Sequence, residues 1–157
     1  MDKDKKNHLT KRFLSRLIAV QTLYQYDFHQ RQIEVSSLLK QLIENYFLDE
    51  NDQALSYKGK IDEDFADSLL SGAVLAIDKI DQEIAGFLKE KNNLEEMPDV
   101  MLQILRLASF ELKFMKDIPA KVIISEYVDL SACFYDAKQV TFTNGILQNI
   151  ANKNRQD

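Results

Sequence analysis

Six of the chain's lysines and arginines fall between Asp2 and Arg16 (Lys3, Lys5, Lys6, Lys11, Arg12 and Arg16), against Asp2 and Asp4, a local charge of +4. The rest of the chain carries −9, for −5 overall. An acidic body with cations gathered at one end repels polyanions everywhere except at that end, so the chemistry on offer there is attraction of a phosphate backbone. The plainer alternative is a solvated, fraying terminus.

Catalytic chemistry finds no such footing. Gly59, Gly72, Gly86 and Gly145 are isolated, so neither a dinucleotide fingerprint nor a phosphate loop can be assembled. His8, His29 and Cys133 have no spacing that resembles a zinc site. Cys133 lies in a stretch expected to pack, where it reads as a small buried hydrophobe instead of a nucleophile. Glu95 and Glu96 are adjacent and would point to different helix faces, which removes them as an acid–base pair. Asp49, Asn51 and Gln53 imitate alternate ligands of a calcium loop, but Ala54 replaces its glycine and Lys60 its closing glutamate, so calcium is rejected. The acidic trio Asp62, Glu63 and Asp64 has a bland explanation as the negative start of a helix. No catalytic residue, metal ligand or cofactor is expected.

The elements that must position these residues are helical. The chain has 157 residues, 45% hydrophobic and 29% charged, with only 4 Gly and 2 Pro to make tight turns. It is long enough to bury a core unaided, and one cysteine cannot form an internal bridge. The longest apolar run, Ala73 to Ile77, is far short of the roughly 20 residues of a membrane span. A cytoplasmic location follows as the default expectation, without membrane or export signal.

Residues 1–9 read as a mobile basic arm. From Thr10, expected as the N-cap, Phe13, Leu17, Val20, Tyr24 and Phe28 recur at helical spacing, with Lys11, Arg12, Ser15 and Arg16 on the opposite, exposed side. Val35 to Phe47 gives a second helix, and Asp49 to Lys60 a polar loop. Phe65 to Phe87 is too long for one helix and is expected to break near Ala76 to Asp78, with Asp78 as a new N-cap. Pro98 then opens a helix to Met115 with almost no polar side, the central element, in which Arg106 and Glu111 must be paired or reach an edge. Pro119 to Phe134 and Lys138 to Ala151 complete about seven helices. The class is all-α, with one bundle over about 10–77 and another over about 78–152.

Three ordered stretches resemble the transcription antitermination factor NusB family. The first is Arg16 followed by Ala19-Val20-Gln21-Thr22-Leu23-Tyr24-Gln25. The second is Ile104-Leu105-Arg106-Leu107-Ala108-Ser109-Phe110-Glu111-Leu112 with Asp117-Ile118-Pro119-Ala120-Lys121-Val122-Ile123-Ile124-Ser125-Glu126, and the third is Phe142-Thr143-Asn144-Gly145-Ile146-Leu147. Order and spacing are similar over about residues 11–152.

The resemblance implies two small helical bundles side by side and no enzyme. It implies recognition of boxA-type single-stranded RNA of nascent ribosomal RNA transcripts, together with the small-subunit ribosomal protein that acts as Nus factor E, within the RNA polymerase antitermination complex. Lys11, Arg12 and Arg16 would then meet phosphates, Tyr24 and Phe142 would stack on bases, and Gln21 would read a base edge. Arg106 is expected to pair with Glu126, and Asn144 and Gly145 to serve close helix packing. Some relatives self-associate, and homodimer against monomer stays open. The chain departs from the family in its sparser arginine cluster, in Leu17 where Glu is common, in Ser125 where Asn is usual, and in Val140 and Thr141 before Phe142. Weaker intrinsic RNA affinity, or greater reliance on the partner, is the expected consequence, with Lys3, Lys5 and Lys6 compensating. Two alternatives stand beside this reading: a helical protein-interaction adaptor without direct RNA binding, and a stand-alone relative of the N-terminal domain of ribosomal RNA methyltransferases.

Overall fold

The computed structural model describes residues 10–47, 61–89 and 93–157. The basic arm with Lys3, Lys5 and Lys6, and the loop over 49–60 with its calcium-like spacing, lie outside the described residues. Among those described there are seven α-helices and no strand: α1 Lys11–Phe28, α2 Val35–Phe47, α3 Glu63–Leu75, α4 Ile77–Gly86, α5 Asp99–Phe114, α6 Ala120–Ala132 and α7 Ala137–Asn154, with a 3-10 turn at Leu94–Glu96 before α5. The all-α expectation is borne out. The chain divides into two compact units, Met1–Ser71 and Gly72–Asp157, so that α3 runs through the boundary.

In the first unit α1 packs along α2. Thr10 caps α1 as expected, its hydroxyl accepting the Phe13 N–H at 3.0 Å. The helix buries Phe13, Leu14, Ile18, Ala19, Val20 and Leu23, and α2 answers with Val35, Leu38, Leu39 and Ile43. The chain leaves α1 through Gln30 and Arg31, both in the left-handed region at φ 56° and 60°. Non-glycine side chains rarely adopt that conformation. Here Arg31 is held by its N–H on the Tyr26 carbonyl and its Nε on Asp27.

Asp62 Oδ1 accepts the Phe65 N–H, and Glu63 and Asp64 occupy the first turn of α3, so the acidic trio is a helix start. The break falls at Ala76, but Ala76 itself is the cap residue of α4, and Asp78 sits inside the first turn without capping it.

The second unit is built around α5, whose residues Met101 to Ser109, Glu111 and Leu112 are all buried. It packs on α4, α6 and α7. Its charges are paired as they must be in such surroundings. Arg106 donates to both Asp81 oxygens, at 2.8 and 2.7 Å, and to Gln103, while Glu111 accepts from the Tyr127 hydroxyl. Asp81, on the preceding helix, is a partner that sequence reading did not name; Glu126 sits half-buried on α6.

Both ends of α5 are closed by residues distant in sequence. The Tyr135 hydroxyl accepts the Met101 N–H in its first turn; burial pushes the Tyr135 phenol above its ordinary range, the bond from Met101 opposes the rise, and Asp99 adds to it. At the other end the guanidinium of Arg155 donates to the carbonyls of Leu112, Glu111 and Met115, and also to Ile118. These are the orphan acceptors of a helix C-terminus. Asp157 accepts the Ala120 N–H at the start of α6, which together with Arg155 holds its carboxyl below the usual range.

Two expectations about small residues are corrected. Gly145 is exposed, with open space where a Cβ would stand, so it serves no close helix packing. The close approach is at Gly72, where a Cβ would meet the Phe110 ring at 2.1 Å. Cys133 is exposed, because α6 ends at Ala132 and leaves it at the helix cap.

Candidate nucleic-acid interface

The head of α1 gathers three of the predicted residues. Lys11 is exposed in the first helical position. Arg12 has a half-exposed side chain, 49%, with its Nε 3.6 Å from Asp62 and its guanidinium 4.0 Å from the centre of the Phe65 ring. Arg16 lies over the same ring at 5.2 Å, but at 2% exposure it is buried. The expectation that Arg16 shares an exposed face with Lys11 and Arg12 is therefore corrected. Ser15 moves inside with it: its hydroxyl donates to the Lys11 carbonyl and accepts the Asp62 N–H at 2.8 Å.

These contacts have one physical origin. The start of α3 abuts the side of α1 that faces away from the apolar stripe, and Phe65 offers the π-face that a desolvated guanidinium accepts in place of water. Two arginines on one ring pre-order the head of α1. Lys11, and the outward half of Arg12, are left as the described cations that a polyanion can reach there. A surface pair such as Arg12 with Asp62 is weak, in the range of about 0–1 kcal/mol, so Asp62 does not bar Arg12 from a phosphate.

Further along α1, Gln21 and Tyr24 are half-buried. The Tyr24 ring is stacked on Phe28 at 6.4 Å and 19°, and Phe28 meets His29 edge-on at 5.4 Å. Phe28 was read as part of the apolar stripe, yet it is 69% exposed, because the helix ends there and the chain turns away. It is the aromatic group that sequence reasoning missed. The available signal was the polar run His29-Gln30-Arg31-Gln32 that follows it, which leaves nothing to cover a ring. At 1.5 Å per residue, Arg12 and Tyr24 are about 18 Å apart along the axis. They can serve one strand only at different nucleotides.

Phe142 belongs to the second unit, on the exposed side of α7, 39% exposed. It borders a concavity of about 450 Å³ whose apolar wall includes Leu88, Met97, Pro98 and Met101 and whose polar rim carries Glu96 and Asp136 as well as Lys138 and Gln139. An exposed ring at the edge of such a hollow can stack on a planar ligand. Among the described residues no group of His, Cys, Asp and Glu is arranged to hold a metal ion, and no helix is long and apolar enough to cross a membrane.

The comparisons with known proteins converge. The NusB family profile matches residues 14–152. The transcription antitermination protein NusB of Caulobacter vibrioides is 32% identical over 145 residues, covering 92% of this chain and 95% of that protein. The corresponding protein of Rickettsia bellii is 28% identical, covering 96% of each. Among solved structures, NusB of T. maritima superposes with a TM-score of 0.73 at 29% identity, over 92% of both chains. A chain in the crystal structure of antitermination factors NusB and NusE in complex with dsRNA superposes at 0.73 with 27% identity, over 91% of this chain and 97% of that one.

Proposed function

The chain belongs to the NusB family, and from that premise we propose that it is an RNA-binding transcription antitermination factor. It recognises boxA-type RNA of nascent ribosomal transcripts jointly with the ribosomal protein that acts as Nus factor E. It then joins the RNA polymerase complex that passes termination sites, and it acts in the cytoplasm without catalysing a reaction. The observation that carries this reading is the likeness, along nearly the whole of both chains, to the NusB of a solved NusB–NusE complex with RNA.

In this mechanism Lys11 and Arg12 meet phosphates at the head of α1, Tyr24 and Phe142 present rings to bases, and Gln21 lies at a base edge; the exposure of Lys11 and of Phe142 is what supports it. Arg16 acts indirectly, by holding the head of α1 against Phe65 so that its neighbours face outward. Two phosphate contacts account for a slope of about −1.4 in log affinity against log salt for a single strand. A steeper slope reports further contacts, for which Lys3, Lys5 and Lys6 are the candidates next to α1 in the sequence. With so few accessible cations, intrinsic affinity is low and the ribosomal partner supplies the rest.

A gel-shift titration of boxA-type RNA, with and without Nus factor E, tests this. Weak binding alone and tight binding with the partner is the expected result. A ternary complex that forms equally well on an unrelated RNA, or a binary protein complex that ignores RNA, would favour the adaptor reading.

A further inference from the structure

Helices α6 and α7 of the second unit are neighbours, and the groove between them holds about 380 Å³. Its floor is apolar, from Ile124 and Val128 on α6 and Ala151 on α7. Along the α7 wall stand Asn144, Gln148 and Asn152, with Ser125 opposite on α6. None of these four side chains hydrogen-bonds to another described residue. Two amides of the same helix outside the groove are committed, Gln139 to the capping box and Asn154 to Glu83 and the Ile150 carbonyl.

The three groove amides recur at steps of four, about 6 Å apart along the helix axis. In an extended chain the N–H and C=O of every second residue point to the same side and repeat at about 6.7 Å. One carboxamide can accept from that N–H and donate to that C=O at once. Three of them therefore match alternate residues of an extended peptide, and the accumulated mismatch of about 1.4 Å is within the play of their side chains. A helical partner satisfies its own backbone and would offer these amides nothing. A polyanion fits no better, because the Arg155 guanidinium is spent on the C-terminal carbonyls of α5 and the Asp157 carboxylate stands at the same end of the groove. That leaves Lys121, exposed and in no ion pair among the described residues, as the one cation of the lining still open.

We propose that the α6–α7 groove binds an extended segment of a protein partner, about five residues long. Its backbone pairs with Asn144, Gln148 and Asn152, its small apolar side chains rest on Ile124, Val128 and Ala151, and an acidic residue lies beside Lys121. The RNA-binding reading uses none of these residues, so the two stand or fall separately.

The test follows the side-chain amide signals of the full chain by heteronuclear NMR during titration with acetyl-Glu-Val-Ala-Val-Ala-amide. The same peptide is also used N-methylated at its odd residues or at its even ones. Saturable shifts of the Asn144, Gln148 and Asn152 signals are expected below millimolar peptide, abolished by one N-methylation pattern and kept with the other. The double variant Gln148→Ala/Asn152→Ala is expected to bind at least tenfold more weakly and to melt as the wild type does, both positions being exposed. Absence of shifts at millimolar peptide overturns the proposal, and so does undiminished binding of both N-methylated peptides. The same shifts produced by a short oligouridylate reassign the groove to RNA. Shifts that grow with protein concentration and need no peptide reassign it to a second copy of the chain, and either result overturns the peptide site.

Discussion

The head of α1 and the exposed side of α7 hold their cations in opposite ways. At the head of α1 the sequence is rich in positive charge, but Arg16 is buried against Phe65 and Arg12 is shared between that ring and Asp62. On α7 there are fewer cations, yet Lys138 faces solvent on a helix without a single carboxylate. What a phosphate meets depends on the charge left unengaged, and counting Lys and Arg along a chain overstates it.

The comparison is sharpened first by a cation that is wholly engaged. Replacing Arg106 by Ala leaves Asp81 without its two-point partner and is expected to cost about 3–5 kcal/mol in urea unfolding. A double-mutant cycle with Asp81→Ala is expected to return much of that as coupling. A parallel cycle with Glu126→Gln tests the partner proposed from the sequence, and is expected to return a smaller value.

Next in size is Gly72→Ala, which must displace the Phe110 ring and is expected to cost about 1–3 kcal/mol by overpacking, read by thermal melting. Arg16→Ala follows. Loss of the desolvated contact with Phe65 and of its buried stem is expected to lower stability by about 1–2 kcal/mol. RNA affinity of the protein that remains folded should change little in salt slope. An Arg16→Ala protein with wild-type melting but a shallower slope would break the contrast drawn here. Smallest in stability is Arg12→Ala, below about 1 kcal/mol, yet it is expected to make the salt slope shallower by about 0.7.

The helices were legible because their apolar residues recur at a period that any burial against a neighbour requires. Thr10, the acidic start of α3 and the all-round apolar α5 each announced themselves within a few residues. The site was less so, for reasons of range. Ser15 and Arg16 are buried because the start of α3, 47 residues on from Ser15, covers a second side of α1, and periodicity within one helix carries no trace of that. Phe28 and Cys133 satisfy the apolar pattern of their stretches but fall where a helix ends, and both are exposed. Asp81 and Arg155 act on α5 from 25 and 43 residues away, through directional hydrogen bonds that composition does not encode. Gly72 and Gly145 look alike in sequence, and only the neighbouring helix distinguishes them.

The most direct measurement is the affinity of the chain, mixed with Nus factor E, for boxA-type single-stranded RNA over a series of salt concentrations. Saturable binding that weakens with salt at a log–log slope of about −1.4 or steeper is the expected result. Absence of binding, or a flat response to salt, would contradict the phosphate contacts on which the whole reading depends.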